Sequence, residues 1–147
     1  MLLPLLFGGL LVFISTIVQV VFVVMMVRYL IKVIPSNTLQ ATSIAFDIKV
    51  ICSVLILLFI GHLSQIAIWA VLFIKLGEFN DFLTAFYHSA VNFSSLGYGD
   101  ITMSERWRLL GALEAGNGVL MFGLSTGTIF SVMTRLFNQH HIVKLSK

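Results

Sequence analysis

The chain has 147 residues, of which 59 per cent are apolar and 10 per cent charged, and its mean hydropathy is +1.03. That composition excludes a soluble globular domain and marks an integral membrane protein. The net charge of +3 says less than the placement of the charges, and a single cysteine, Cys52, excludes an intrachain disulfide.

From Met1 to Val27 there is no charged residue, a run longer than the ~20 residues needed to cross a hydrocarbon core. A first spanning helix is expected over about Leu3–Val33, within an N-terminal segment 1–34. Cleavage as a signal is not expected, because the segment lacks a basic start, is too long and ends at Arg28 without a small-residue cleavage site. A cytoplasmic loop, 35–46, follows around Pro35-Ser36-Asn37. The second spanning helix covers 47–76, charge-free from Val50 to Ile74.

Asn80–Phe93 is 14 residues, too short to span but long enough for a helix of about four turns. Asn80 is the expected N-cap, with Asp81 complementing the helix dipole. A stretch at 94–100 leads to a third spanning helix over 106–137, in which Leu109–Thr134 carries only Glu114. The tail 138–147 is too short for a ligand-sensing domain. No repeat, low-complexity tract or arginine-rich span appears, which argues against a voltage-sensing helix.

Arg28, Lys32, Lys49, Arg135, Lys144 and Lys147 fall on one side of these spans, and Lys75, Arg106 and Arg108 on the other. The positive-inside rule then predicts an external N-terminus and a cytoplasmic C-terminus.

Residues 94–100 read Ser-Ser-Leu-Gly-Tyr-Gly-Asp. Glycines at 97 and 99 can adopt the positive φ that turns successive carbonyls the same way, and a row of carbonyls can replace a cation's water shell. Irregular backbone at membrane depth must be buried in protein or line a watery cavity, so this segment needs a surrounding assembly.

Residues 47–136 resemble the pore module of the potassium channel family: outer helix, pore helix, filter and inner helix. The resemblance rests on Gly97-Tyr98-Gly99-Asp100 and on the pattern Phe-x-x-Ala-Phe-Tyr at 82–87. It implies an all-α membrane protein with three transmembrane helices, a re-entrant pore helix and a tetrameric pore. The pore domain would be 47–137, with outer helix 47–76, pore helix 80–93, filter 94–100 and inner helix 106–137. The implied function is passive, potassium-selective transport in a plasma or bacterial inner membrane. The protein would not be an enzyme and would need no cofactor. Its partners would be copies of itself in a homotetramer, membrane lipids and potassium ions, with no nucleic acid.

In the family the carbonyls at positions matching Ser95, Leu96, Gly97 and Tyr98 hold dehydrated potassium, with Gly99 and Asp100 at the outer mouth. Ser95 retains the hydroxyl of the family's usual Thr, while Leu96 replaces a β-branched residue and alters packing behind the filter. Tyr98 would pack outward against Tyr87 and His88 as a cuff. Tyr87, His88, Asn92 and Ser94 are the expected filter supports, Asp100 pairing with Tyr87 or His88.

His62 and Gln65 share one face of the second helix, Glu114 and Asn117 one face of the third, and counting ~1.5 Å per residue places both pairs in the outer half of the membrane. They are expected to meet in one buried polar cluster behind the filter. Gly118 is a candidate hinge, and Leu120, Leu124, Thr128 and Ser131 a candidate pore-lining stripe. Gly123 and Gly127 have a helix-packing spacing. His140, His141, Lys144 and Lys147 read as a topology anchor. Ser95 and Leu96 leave one other reading, a weakly selective cation channel on the same scaffold; a second is a non-conducting channel subunit or scaffold that docks through the first helix.

Overall fold

A computed structural model of the chain describes residues 2–34 and 43–145. The expected loop around Pro35-Ser36-Asn37 lies outside the described residues. Among the described residues four helices follow in order: α1 (Leu2–Val33), α2 (Ile44–Lys75), α3 (Phe82–Phe93) and α4 (Arg108–Leu145). Three stretches, Leu2–Val33, Ile44–Lys75 and Arg108–Asn138, are long and apolar enough to cross a membrane. α3, with 12 residues, reaches only about 18 Å and cannot. The described residues form an all-helical membrane fold with no strand.

Local chemistry sets the helix ends. Ser43 caps α2, its Oγ accepting the Phe46 amide at 3.2 Å, and Asp47 sits in the first turn against the helix dipole. α2 closes on Gly77, at φ 77°. The Gly77 amide reaches the Ile74 carbonyl and the Glu78 amide the Phe73 carbonyl, at 2.9 and 3.0 Å. This paired closure is the Schellman motif, which favours glycine at its left-handed position. Pro4 is accommodated in the first turn of α1, where no intrahelical donor is lost. α4 continues past the expected end at Phe137 to Leu145, because no glycine or proline interrupts the intervening sequence.

The spans are apolar on all sides, as lipid-facing helices must be, so small and polar residues mark the buried seams. On α1 the seam is Pro4, Gly8, Leu11, Ser15, Gln19, Met26 and Leu30, a spacing of three, four and seven that keeps one face inward. Two apolar clusters occupy the ends of the bundle, and a smaller one of Ile66, Phe93 and Met121 lies between them. Leu11, Trp69, Phe73, Phe79, Trp107 and Leu110 fill the end near the Gly-Tyr-Gly segment, and Met26, Leu30, Val54, Leu58, Val132 and Leu136 fill the opposite end.

Candidate functional site

α3 is fixed at its start by Asp81, whose carboxylate accepts the Thr84 amide at 2.8 Å. The cap is thus Asp81, one residue after the expected Asn80. The Thr84 amide also holds the Asp81 carboxyl below its ordinary range.

The buried face of α3 comprises Ala85, His88, Ser89, Val91 and Phe93. Ser89 Oγ bonds the Ile66 carbonyl of α2 at 2.8 Å and also pairs with the Glu114 carboxyl of α4. One hydroxyl therefore joins three helices. At the carboxyl end, the Phe93 carbonyl presses on α4 at Gly118, where a Cβ would lie 1.8 Å from the carbonyl oxygen. Gly118, the candidate hinge, is thus a contact point within the continuous α4.

The last turn of α3 repeats the α2 closure. The Ser95 amide bonds the Asn92 carbonyl at 2.8 Å and the Leu96 amide the Val91 carbonyl at 3.0 Å. Ser95 takes the left-handed position, at φ 60°, which is costly for a non-glycine residue. Gly97 and Gly99 follow at φ 59° and 73°, so positive φ recurs at every second residue from 95 to 99.

The supports sort differently from expectation. Tyr87 donates its phenolic hydrogen to Asp100 Oδ2 at 2.7 Å, and this bond raises the phenol's pKa. His88 Nδ1 lies 3.0 Å from the Ile101 carbonyl, and its Nε2 lies 2.8 Å from the Asn92 amide nitrogen. A carbonyl can only accept, so Nδ1 carries the hydrogen and Nε2 accepts from Asn92. Burial keeps the imidazole below its ordinary pKa, opposed by the Ile101 bond and by Asp100 and Glu78. His88 stacks against Phe79 and Phe73, at 4.9 and 5.6 Å between ring centres. Tyr98 is 67 per cent exposed, so no cuff of Tyr98 against His88 forms within one protomer.

Ser94 turns its hydroxyl back to the Ala90 carbonyl at 2.7 Å, closing its own helix rather than bracing the segment beyond. The Ser95 hydroxyl points to the Ala115 carbonyl of α4, at a marginal 3.5 Å. A cleft of about 460 Å³ lies between the segment, α3 and the start of α4, with His88, Asn92, Gly97, Glu105 and Arg108 on its walls. The far side of the segment is tied by Glu78, whose carboxylate accepts the Ser104 amide at 2.6 Å and the Ser104 hydroxyl at 2.7 Å. No local sequence signal joins residues 26 positions apart, and only the fold brings Glu78 to Ser104.

The expected single cluster of His62, Gln65, Glu114 and Asn117 is two separate groups. Glu114 joins Ser89, while His62 and Gln65 join Gln19 of α1 and Ser125 of α4. Asn117 is buried without a hydrogen-bond partner in the protomer. The reason is rotational: α2 turns the Ile66 carbonyl toward α3, which directs Gln65 toward α1. The polar residues of α1 carry no charge, but a glutamine in a run from Met1 to Val27 without charges is itself a signal of burial.

Leu120 and Leu124 of the candidate stripe are exposed. Thr128 and Ser131 bond the Leu124 and Gly127 carbonyls of α4 itself, and both also border a groove against α1. Gly123 and Gly127 meet nothing within 4 Å of an added Cβ, so their spacing packs no helix inside one protomer. The structure describes no side chains for His140, His141, Lys144 and Lys147.

No curated protein and no solved structure matches the chain. Residues 49–135 match the family profile described as "Ion channel". The match takes in α2 from Lys49, all of α3, the Gly-Tyr-Gly-Asp segment and α4 as far as Arg135, and the chain belongs to that ion channel family.

Proposed function

We propose that four copies of this chain surround one axis and pass potassium through a carbonyl-lined filter formed by residues 95–99. The observation that carries this reading is the recurrence of positive φ at Ser95, Gly97 and Gly99 between a non-spanning and a spanning helix. Alternating hand along an extended segment turns neighbouring carbonyls toward one side, which is the arrangement that substitutes for ion hydration. Each chain contributes one such segment, and Leu96 and Tyr98 stand 59 and 67 per cent exposed, as they would if neighbouring copies completed their packing. The carboxyl end of α3 adds the negative end of its dipole beneath the filter. Membrane lipids cover outward residues such as Phe13 and Phe59, which are more than half exposed. The charge distribution favours an external filter mouth in a plasma or bacterial inner membrane.

Potassium flux into liposomes tests the reading, native chain beside Gly97→Ala. At φ 59° an added Cβ is strained whatever the space around it, so the native chain conducts and the variant loses most of its flux. Assembled native protein without flux would support a non-conducting subunit instead. A weakly selective pore is favoured by one observation, the turning of the Ser95 hydroxyl toward Ala115, away from the place of an innermost ion ligand. Reversal potentials decide between the two: a value that ignores potassium–sodium exchange rejects selectivity.

A further inference from the structure

α1 lies outside the matched residues, yet it holds two of the most deeply buried polar side chains in the molecule. Ser15 and Gln19 are fully buried in the layer between the two apolar clusters. There Gln65 Nε2 donates to Gln19 Oε1 at 2.7 Å, and Gln19 Nε2 donates to Ser125 Oγ at 2.9 Å. Ser125 Oγ in turn lies 3.0 Å from His62 Nε2. Ser125 accepts from Gln19 and keeps its own proton for the imidazole. The chain of bonds leaves α2, crosses α1 and α4, and returns to α2 three residues from where it began.

Two close approaches hold α1 in this position. A Cβ on Gly61 would lie 3.1 Å from the Phe22 ring, and one on Gly8 would lie 2.4 Å from Leu113 Cδ1. Along α4, the grip of α3 is at Gly118, and Ser125 is seven residues further, about 10 Å along the axis. The neighbouring hydroxyls of Thr126, Thr128, Ser131 and Thr134 all bond carbonyls within α4. Ser125 is the hydroxyl that reaches another helix. In hydrocarbon, a broken bond of this kind leaves a buried polar group with no water to replace the partner.

We propose that Gln19 is a positioning residue for conduction: it pins α4 at Ser125 to α2, making α1 a built-in brace on the inner helix below the filter. The inference rests on the channel reading only for its electrical consequence. The brace is tested by thermal unfolding of the full-length protein in detergent for Gln19→Leu, Ser125→Ala and the double variant, and by single-channel recording of the same proteins. Each single variant lowers the unfolding midpoint, and the double lowers it by less than the sum of the two, because the Gln19–Ser125 bond is lost in both while the bonds to Gln65 and His62 are lost in one each. In recordings, both shift the ratio of open to closed time in the same direction by roughly fiftyfold, the order expected when the shared Gln19–Ser125 bond, modest by itself, is lost in each of four subunits. Reversal potential and unitary conductance stay at native values, and Ser125→Thr, which keeps the hydroxyl, returns the native ratio. Additive midpoints, or native dwell times in a conducting Ser125→Ala protein, overturn the brace. A native chain that carries no current but shows the non-additive midpoints rejects the channel reading and leaves the brace standing.

Discussion

Gly118 shows how one missing methyl group sets the geometry behind the proposed filter. Its α-carbon lies so close to the Phe93 carbonyl that a Cβ would sit 1.8 Å from the oxygen, and the atom opposite is backbone, which cannot swing aside. Gly118→Ala must push α4 off the end of α3 at a cost of about 3 kcal/mol or more. Gly9, on the same chain but with nothing within 4 Å of an added Cβ, is the control: Gly9→Ala is neutral or slightly stabilising. Thermal unfolding in detergent compares the two, and equal midpoints would show that the α3–α4 contact does not form.

Tyr87 and Asp100 give a second prediction at this scale. The folded protein holds the phenolic proton more tightly than the unfolded chain does, chiefly through the bond to Asp100. The bond's contribution is therefore complete below the ordinary tyrosine pKa of about 10 and is lost as the pH climbs through the raised value. Ultraviolet difference titration of the native chain against Tyr87→Phe isolates this phenol. In Asp100→Asn its ionisation moves down toward the ordinary value, and an unchanged titration would show that the pair is not made.

At the scale of the element, α3 is a short helix whose two ends are made in different ways. Its start depends on Asp81, and Asp81→Ala removes the acceptor for the Thr84 amide and lowers stability, while Asp81→Asn keeps most of it. The same carboxylate is held below its ordinary pKa, so its contribution is present at neutral pH and fades as the pH falls through that lowered value. Unfolding midpoints at pH 7 for the three proteins check the order native, Asn, Ala. The helix's end uses Ser95 in a left-handed position where α2 uses Gly77. Ser95→Gly relieves that strain and stabilises the isolated turn by roughly 1 kcal/mol, while removing the hydroxyl that faces the Ala115 carbonyl. A more stable variant with an unchanged reversal potential is the expected outcome; lower stability would mean that the Ala115 contact outweighs the strain.

For the whole molecule, the central expectation is assembly. Leu96, Tyr98, Leu120 and Leu124 are apolar or aromatic side chains left exposed on and beside the proposed filter, and one filter segment per chain encloses no path alone. Native mass spectrometry from detergent micelles should give four chains per particle, and a monomer at working concentration would rule out the pore.

The spans and the site of the irregular segment were legible in the sequence, because both depend on signals carried within one stretch. A charge-free run of sufficient length crosses the bilayer whatever its neighbours do, and paired glycines bracketing Tyr98 permit positive φ locally. The partners of the buried polar groups were decided only by the tertiary structure. His62 and Gln65 do share a face, but whether it meets Glu114 or Gln19 depends on how α2 is rotated against α1, α3 and α4. That rotation is fixed by contacts such as Gly61 against Phe22 and Gly118 against the Phe93 carbonyl, which join residues far apart in the chain. Periodicity along one helix carries no information about the rotation of another, so only packing could place Gln19 at the centre of the bundle.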